Sequence, residues 1–112
     1  MLTRQRISIT DEIGSWPGVT VARSGSEHVQ FLVGKIELGH LHGDRVAHLP
    51  LPRAIHDLLI AAGRVSPHPV LPKSGWAERV INDSDDARDV LGIFRMNYYR
   101  AIKRPNREGP SR

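Results

Sequence analysis

Apolar and polar residues alternate over residues 19–49 in a way that predicts a meander of short antiparallel strands. A period of two is the pattern of a strand with one face on the core and one face toward solvent. The apolar members of this pattern are Val19, Val21, Val29, Phe31, Val33, Ile36 and Leu38. A further strand is predicted over 76–81 from the same alternation.

Two glycine-led dipeptides, Gly34-Lys35 and Gly43-Asp44, are predicted to be two-residue hairpin turns. Glycine at the first loop position suits a type II′ turn, and such a turn fixes the register of both strands. The predicted pairs are Val33 with Ile36, Phe31 with Leu38, Val29 with His40, His42 with Arg45, and His40 with Ala47. The core face then holds Val29, Phe31, Val33, Ile36, Leu38, Ala47 and Leu49.

Three helices are predicted around these strands. The first covers about Thr3–Ser15 and ends at Trp16-Pro17-Gly18, and the second covers Pro52–Ala62 with Gly63 as its C-cap. The third begins after Ser84 as N-cap and has an apolar stripe formed by Ala87, Val90, Leu91, Phe94, Tyr98 and Ala101. The predicted fold class is α+β, an antiparallel sheet of about four to five strands covered by helices.

Length and charge fit one domain over 1–104 followed by a disordered basic tail over 105–112. The net charge of +4 comes entirely from residues 100–112, because residues 1–99 carry equal numbers of basic and acidic side chains. The tail is either a phosphate-contacting arm for nucleic acid or a solubilising terminus. Nucleic acid is therefore a weakly supported partner.

Several classes of site are excluded by composition. Without cysteine the chain has no disulfide, thiolate nucleophile or cysteine-bound metal. No G-x-G-x-x-G sequence or P-loop is present, so no nucleotide cofactor is indicated. The chain has no signal-like apolar segment near its start and no apolar run of about 20 residues, which predicts a cytoplasmic protein without membrane partners.

Three of the six histidines lie close together in the segment from Gly39 to His48. An H-x-H pair on a strand, here His40 and His42, places two imidazoles on one face and is a common start of a metal site. The predicted register puts His48 on the opposite face, so no metal site is assigned without His28, His68 or a carboxylate brought in by the fold. The alternatives are hydrogen bonding at the core edge, or a polar pocket.

A second candidate is the proline-stiffened segment over 66–76, which presents His68, Lys73, Ser74 and Trp76. Ser74 with His68 as base would give serine catalysis, but the segment lacks a G-x-S-x-G elbow. The structural alternative is that Trp76 fills the core while Ser74-Gly75 forms a turn.

Several motifs in order resemble the luciferase-domain family of small bacterial and fungal proteins over residues 12–103. They are Trp16-Pro17-Gly18-Val19, Gly34-Lys35, Gly39-His40-Leu41-His42-Gly43, Leu51-Pro52-Arg53, the segment from His68 to Trp76, and Tyr98. The order of elements and the late tryptophan also look like the YjbR/MmcQ proteins, whose α+β fold has been suspected of binding DNA.

The family resemblance implies a site rim at matching positions, formed by His40, His42, His68, Ser74 and Trp76. This chain has Pro69 where many relatives carry a second histidine. The resemblance does not imply light emission. The leading hypothesis is a small-ligand-binding domain whose pocket lies at His40, His42 and the 66–76 segment, with Lys73 as a further ligand contact. The alternatives are a nucleic-acid-binding module using the tail, or a luciferase-like or esterase-like enzyme.

Overall fold

Six strands form one antiparallel sheet in a computed structural model that describes residues 8–103. The strands are β1 (Val19–Ser24), β2 (His28–Val33), β3 (Ile36–His42), β4 (Val46–Pro50), β5 (Ser66–Pro67) and β6 (Trp76–Val80). Their order is β1-β2-β3-β4-β6-β5, so the first four form the predicted meander. The α+β class is confirmed. The strand beyond the predicted number is β5, where Ser66 pairs with Glu78 at one edge.

Three helices complete the described structure: α1 (Ile9–Gly14), α2 (Arg53–Ala61) and α3 (Ser84–Ile102). The Ser8 hydroxyl caps α1 by accepting a hydrogen bond from the Asp11 amide. The cap of α3 is Asp83 rather than the predicted Ser84, because the Asp83 carboxylate accepts from the Asp86 amide. Gly63 follows α2 with a φ of +74°, as a C-terminal glycine should.

The core lies between one face of the sheet and the helices. Phe31 of β2 and Phe94 of α3 are both fully buried, and their rings meet edge to face with centroids 5.6 Å apart. Asn97, absent from the predicted stripe, is buried on α3 and donates to the carbonyls of Leu38 and Pro50, both at 3.0 Å. Its amide thereby ties α3 to the ends of β3 and β4.

The pairing of β2 with β3 departs from the predicted register at a β-bulge. Val33 pairs with Ile36 across the Gly34-Lys35 turn as predicted, but Phe31 lies opposite Gly39 and Leu32 opposite Glu37. The predicted pairs Phe31–Leu38 and Val29–His40 are therefore wrong. The extra residue, Leu38, enters the core together with Leu41.

Residue 39, next to the bulged Leu38, must be glycine because its backbone lies against both α3 and β4. It has a φ of +143°, and a Cβ there would come within 2.8 Å of both the His48 carbonyl oxygen and Phe94 Cε1. Since Leu41 points into the core, His40 and His42 on either side of it point to the opposite face of the sheet.

The second hairpin has a three-residue loop over 43–45 instead of the predicted two-residue turn. Gly43, with a φ of +61°, donates its amide to the Glu27 carbonyl at 2.8 Å. His42 consequently pairs with Val46 and His40 with His48, so the predicted pairs His42–Arg45 and His40–Ala47 are wrong. The predicted placement of His48 on the face opposite to His40 and His42 is wrong as well, because the bulge turns His40 and His42 away from the core, whereas the added loop residue keeps Ala47 and Leu49 in it, as predicted.

Within residues 8–103, no helix is long and apolar enough to cross a membrane. The predicted start of the first helix at Thr3 and the predicted disordered tail over 105–112 lie outside these residues.

Replacing Gly39 by alanine is expected to lower the free energy of unfolding by roughly 2–4 kcal/mol, because the new methyl group meets backbone and a buried ring. The matched control is Gly92→Ala in the interior of α3, where a Cβ meets nothing within 4 Å. This control should be neutral or raise stability by up to about 1 kcal/mol. Urea denaturation measures both. A small, equal effect of the two substitutions would contradict the bulge geometry.

Candidate functional site

Five histidines and a tryptophan gather on the side of the sheet opposite to the buried Val29, Leu41 and Ala47. We call this surface the histidine face; it consists of His28, His40, His42, His48, His68 and Trp76. Strand pairing explains the grouping, because His28 lies opposite His42, and His40 lies opposite His48.

The rings of the histidine face pack against each other directly. The His40 centroid lies 4.8 Å from that of His28 and 5.2 Å from that of His48, and the His42 and His48 centroids are 4.9 Å apart. The 66–76 segment places His68 4.3 Å from His48. Trp76 lies beside β3 and the 66–76 segment, with ring-centroid distances of 5.3 Å to His40 and 6.3 Å to His68. The result is one continuous aromatic surface.

Two carboxylates orient two of these rings. Glu78 on β6 lies opposite His48 in the sheet, and its Oε2 is 3.0 Å from His48 Nε2. Glu37 Oε2 is 2.9 Å from His40 Nδ1. Burial opposes ionisation of Glu37, but hydrogen bonds from His40 and Gln30 outweigh it and lower the pKa of this carboxyl below its usual value. Both glutamates therefore act as hydrogen-bond acceptors for imidazole N–H groups.

Ring nitrogens of three histidines lie within hydrogen-bonding distance of one point. His48 Nδ1 lies 3.3 Å from His40 Nε2 and 3.3 Å from His42 Nε2. Burial, followed by the nearby imidazoles, lowers the pKa of His42. The same causes lower the pKa of His68, where His48 is the principal neighbour. These two rings are accordingly neutral at pH 7.

Part of this face has the composition of a metal site. His28, His40 and His42 each offer a ring nitrogen, and the three nitrogens lie within 4.8 Å of one another. His28 Nδ1 is buried and has no hydrogen-bond partner among the described residues. Imidazole nitrogen is a preferred ligand of zinc, copper and nickel ions.

The 66–76 segment is held by hydrogen bonds between its own residues. His68 Nδ1 accepts from the amides of Val70 and Leu71 at 3.1 and 3.2 Å. The Ser74 hydroxyl donates to the Leu71 carbonyl at 2.7 Å and accepts from the Trp76 amide at 3.1 Å. These bonds hold the shape of the loop between β5 and β6 and so set the positions of His68 and Trp76.

The structure brings four of the six sequence-predicted site residues together, namely His40, His42, His68 and Trp76. Trp76 is half-buried beside the imidazoles rather than filling the core. Ser74 instead forms the turn that the structural alternative predicted. Lys73 is exposed, and its carbonyl accepts from Arg53 at 2.7 Å.

The sequence prediction missed four members of the site: His28, His48, Glu37 and Glu78. His48 was set aside because the unpredicted bulge is what brings His40 and His42 to its face, and His28 was named only as a ligand that the fold could bring in. Glu78 could have been found by its alternation with Ala77 and Arg79 once the pairing of β4 with β6 was known. Glu37 carried no local signal, since its contact with His40 follows from the bulge between them.

Comparison with known proteins identifies one family. A family model described as "Luciferase domain" matches residues 35–97, which is more than half of the chain. The match includes the second hairpin and the segment from His68 to Trp76. No curated protein and no solved structure matches this chain.

Stability is expected to fall as the pH is lowered from about 7.5 to about 5.5. The pKa values of His42 and His68 are lowered in the folded protein, so the unfolded chain binds more protons in this window and is favoured by acid. His42→Gln removes one of these groups and should reduce the pH dependence. Urea denaturation of both proteins at the two pH values tests this, and parallel losses of stability would contradict it.

Proposed function

Since the chain belongs to the luciferase-domain family, a membership that fixes no reaction, we propose that it is a small-ligand-binding domain whose binding surface is the histidine face. The observation that carries this proposal is the convergence of five imidazoles and one indole ring on one side of the sheet. Polar groups this closely arranged beside an aromatic surface are typical of ligand sites.

The chemistry of the face indicates what the ligand must offer. Because His68 Nδ1 accepts two backbone hydrogen bonds, the proton of the neutral ring is on Nε2, which is a donor. A carboxylate or carbonyl oxygen is the matching acceptor. Trp76 adds a flat ring next to His40 and His68, against which a planar ligand can stack. The proposed ligand is therefore a small planar molecule with an anionic or carbonyl oxygen.

The rim of the proposed site is rigid, which lowers the entropic cost of binding. Besides its internal hydrogen bonds, the 66–76 segment is joined to the end of β4 by the Leu51 amide, which donates to the Gly75 carbonyl at 3.0 Å. The two backbones approach so closely that a Cβ at Gly75 would lie 2.6 Å from the Leu51 carbonyl oxygen.

The contacts of Ser74 favour this proposal over serine catalysis. The Ser74 hydroxyl is hydrogen-bonded to Leu71 and Trp76. In serine catalysis His68 Nδ1 would either act as the base or be oriented by a carboxylate, but here it accepts hydrogen bonds from two loop amides. Ser74 therefore belongs to the support of the rim.

Benzoate is a direct probe of the proposal, with cyclohexanecarboxylate as its non-planar control. Benzoate should change the fluorescence of Trp76 and raise the melting temperature, and the control should bind more weakly because it cannot stack. Trp16→Phe should keep the fluorescence response, since Trp16 lies in the core under Arg95. Trp76→Phe should lose it.

Replacing both His40 and His42 by glutamine should weaken benzoate binding about tenfold or more, the effect of losing hydrogen bonds worth roughly 1.5 kcal/mol. Lys35→Ala, which removes a positive charge from the exposed turn between β2 and β3, should bind as the wild type does. Circular dichroism checks that the variants fold. Equal affinities of wild type and the folded double variant, or no benzoate response in the wild type, would refute the proposed surface.

A further inference from the structure

The tautomers of His40 and His48 are set by the two glutamates of the histidine face. A carboxylate accepts hydrogen bonds, so the nitrogen that faces it carries the proton. Glu78 thus holds the proton of His48 on Nε2, and Glu37 holds the proton of His40 on Nδ1. In the neutral rings the lone pairs are then on His48 Nδ1 and His40 Nε2.

These two lone pairs face each other at 3.3 Å. Two acceptor nitrogens cannot form a hydrogen bond with each other, and a cation that both can bind removes their mutual repulsion. His42 Nε2 lies equally far from His48 Nδ1, which makes His48 Nδ1 the centre of a three-nitrogen group. The three nitrogens therefore form a group that a cation can bind.

The spacing fits a metal ion. Four ligands placed tetrahedrally at about 2.0–2.1 Å from zinc are separated by about 3.3 Å, which is the distance of His48 Nδ1 from His40 Nε2 and from His42 Nε2. His28 lies on the same side, with a ring nitrogen within 4.8 Å of those of His40 and His42. Its buried, unpartnered Nδ1 shows that this ring has hydrogen-bonding capacity left unused by the described residues.

We propose that the histidine face holds one divalent transition-metal ion of the zinc type, bound by His40 Nε2, His42 Nε2 and His48 Nδ1, with His28 as the fourth protein ligand. All-imidazole donors favour zinc, nickel, cobalt or copper over magnesium or calcium. Glu37 and Glu78 are positioning residues, because carboxylates behind metal-bound imidazoles fix the ring orientation and tautomer.

This inference rests on the proposed function and deepens it. A cation among these imidazoles would attract an anionic ligand oxygen by its charge. The neutral rings, in contrast, offer that oxygen only hydrogen-bond donors. The two glutamates, each bonded to one of the ligating rings, would balance part of the charge of the ion.

Cobalt titration of the untagged full-length protein, after removal of metals with EDTA, tests the site without any organic ligand. One Co²⁺ per chain should bind with a dissociation constant on the order of 1 µM or lower and give the visible absorption bands of a four-coordinate ion. Zinc should displace it, and magnesium should not. Absence of a one-to-one complex at this affinity would overturn the inference.

Variants identify the ligands and the positioning residues. His40→Gln and His48→Gln should abolish the absorption bands, while Glu37→Gln and Glu78→Gln should weaken Co²⁺ binding about 10- to 100-fold. The matched controls are His56→Gln, a histidine of α2 whose Nδ1 is bonded to Asp57, and Glu27→Gln, an exposed carboxylate paired with Arg45. Both should bind Co²⁺ as tightly as the wild type. Unchanged affinity in the His40 and His48 variants would refute the ligand set.

The position of the imidazole proton distinguishes a positioning role of the glutamates from a purely structural one. Loss of a purely structural glutamate would leave the tautomers unchanged. Nitrogen-15 spectra of metal-free protein should show His48 protonated on Nε2 and His40 on Nδ1, and Glu78→Gln should shift the His48 proton toward Nδ1. If Glu78→Gln leaves the tautomer as it is, the positioning role is wrong.

The failures of the two proposals can be told apart. Benzoate binding measured in EDTA reports on the histidine face alone, whereas cobalt binding is measured without benzoate. Benzoate binding without cobalt binding would overturn the metal site and leave the ligand surface standing. Cobalt binding without any benzoate response, measured with and without zinc, would overturn the ligand surface and leave the metal site standing.

Discussion

The contact of Gly39 with Phe94 and with the backbone of β4 determines which side of the sheet the histidines occupy. A side chain at residue 39 would collide with both neighbours, so only glycine permits the bulge that sends Leu38 and Leu41 into the core. Once both leucines are buried, the residues on either side of Leu41 must point away from α3. The packing of the hydrophobic core and the location of the site are thus two consequences of one close approach.

The sheet then assembles the site from four strands and a loop. Facing positions in the sheet bring His28 of β2 and Glu78 of β6 to His40, His42 and His48 of β3 and β4, although these two residues come from other segments of the chain. The 66–76 segment adds His68 and Trp76 from the sheet edge. Because ladder hydrogen bonds hold the strands, most of these side chains are fixed before any ligand binds, as a preorganised site requires.

Much of the fold follows from local patterns, whereas the geometry of the site depends on two single-residue irregularities. Alternation predicts the strands, and capping residues and the apolar stripe predict α2 and α3, because these signals are local. A bulge at Leu38 and a third residue in the 43–45 loop have no distinct local signal, since Gly43-Asp44 also fits a two-residue turn. The bulge turns His40 and His42 away from the core, and the third loop residue keeps Ala47 and Leu49 in the core, so that His40, His42 and His48 share one face. Four residues of the site were predicted from the sequence, and the motifs around them, rather than the predicted strand register, identified them. They are His40, His42, His68 and Trp76.

The central claim is that His40 and His48 present their free nitrogens to each other on the face opposite to α3. Anomalous diffraction from crystals grown with zinc tests it most directly. The account predicts one peak at about 2.0–2.1 Å from both His40 Nε2 and His48 Nδ1. A crystal structure in which His48 points toward α3, or in which the zinc peak lies away from these two nitrogens, would contradict it.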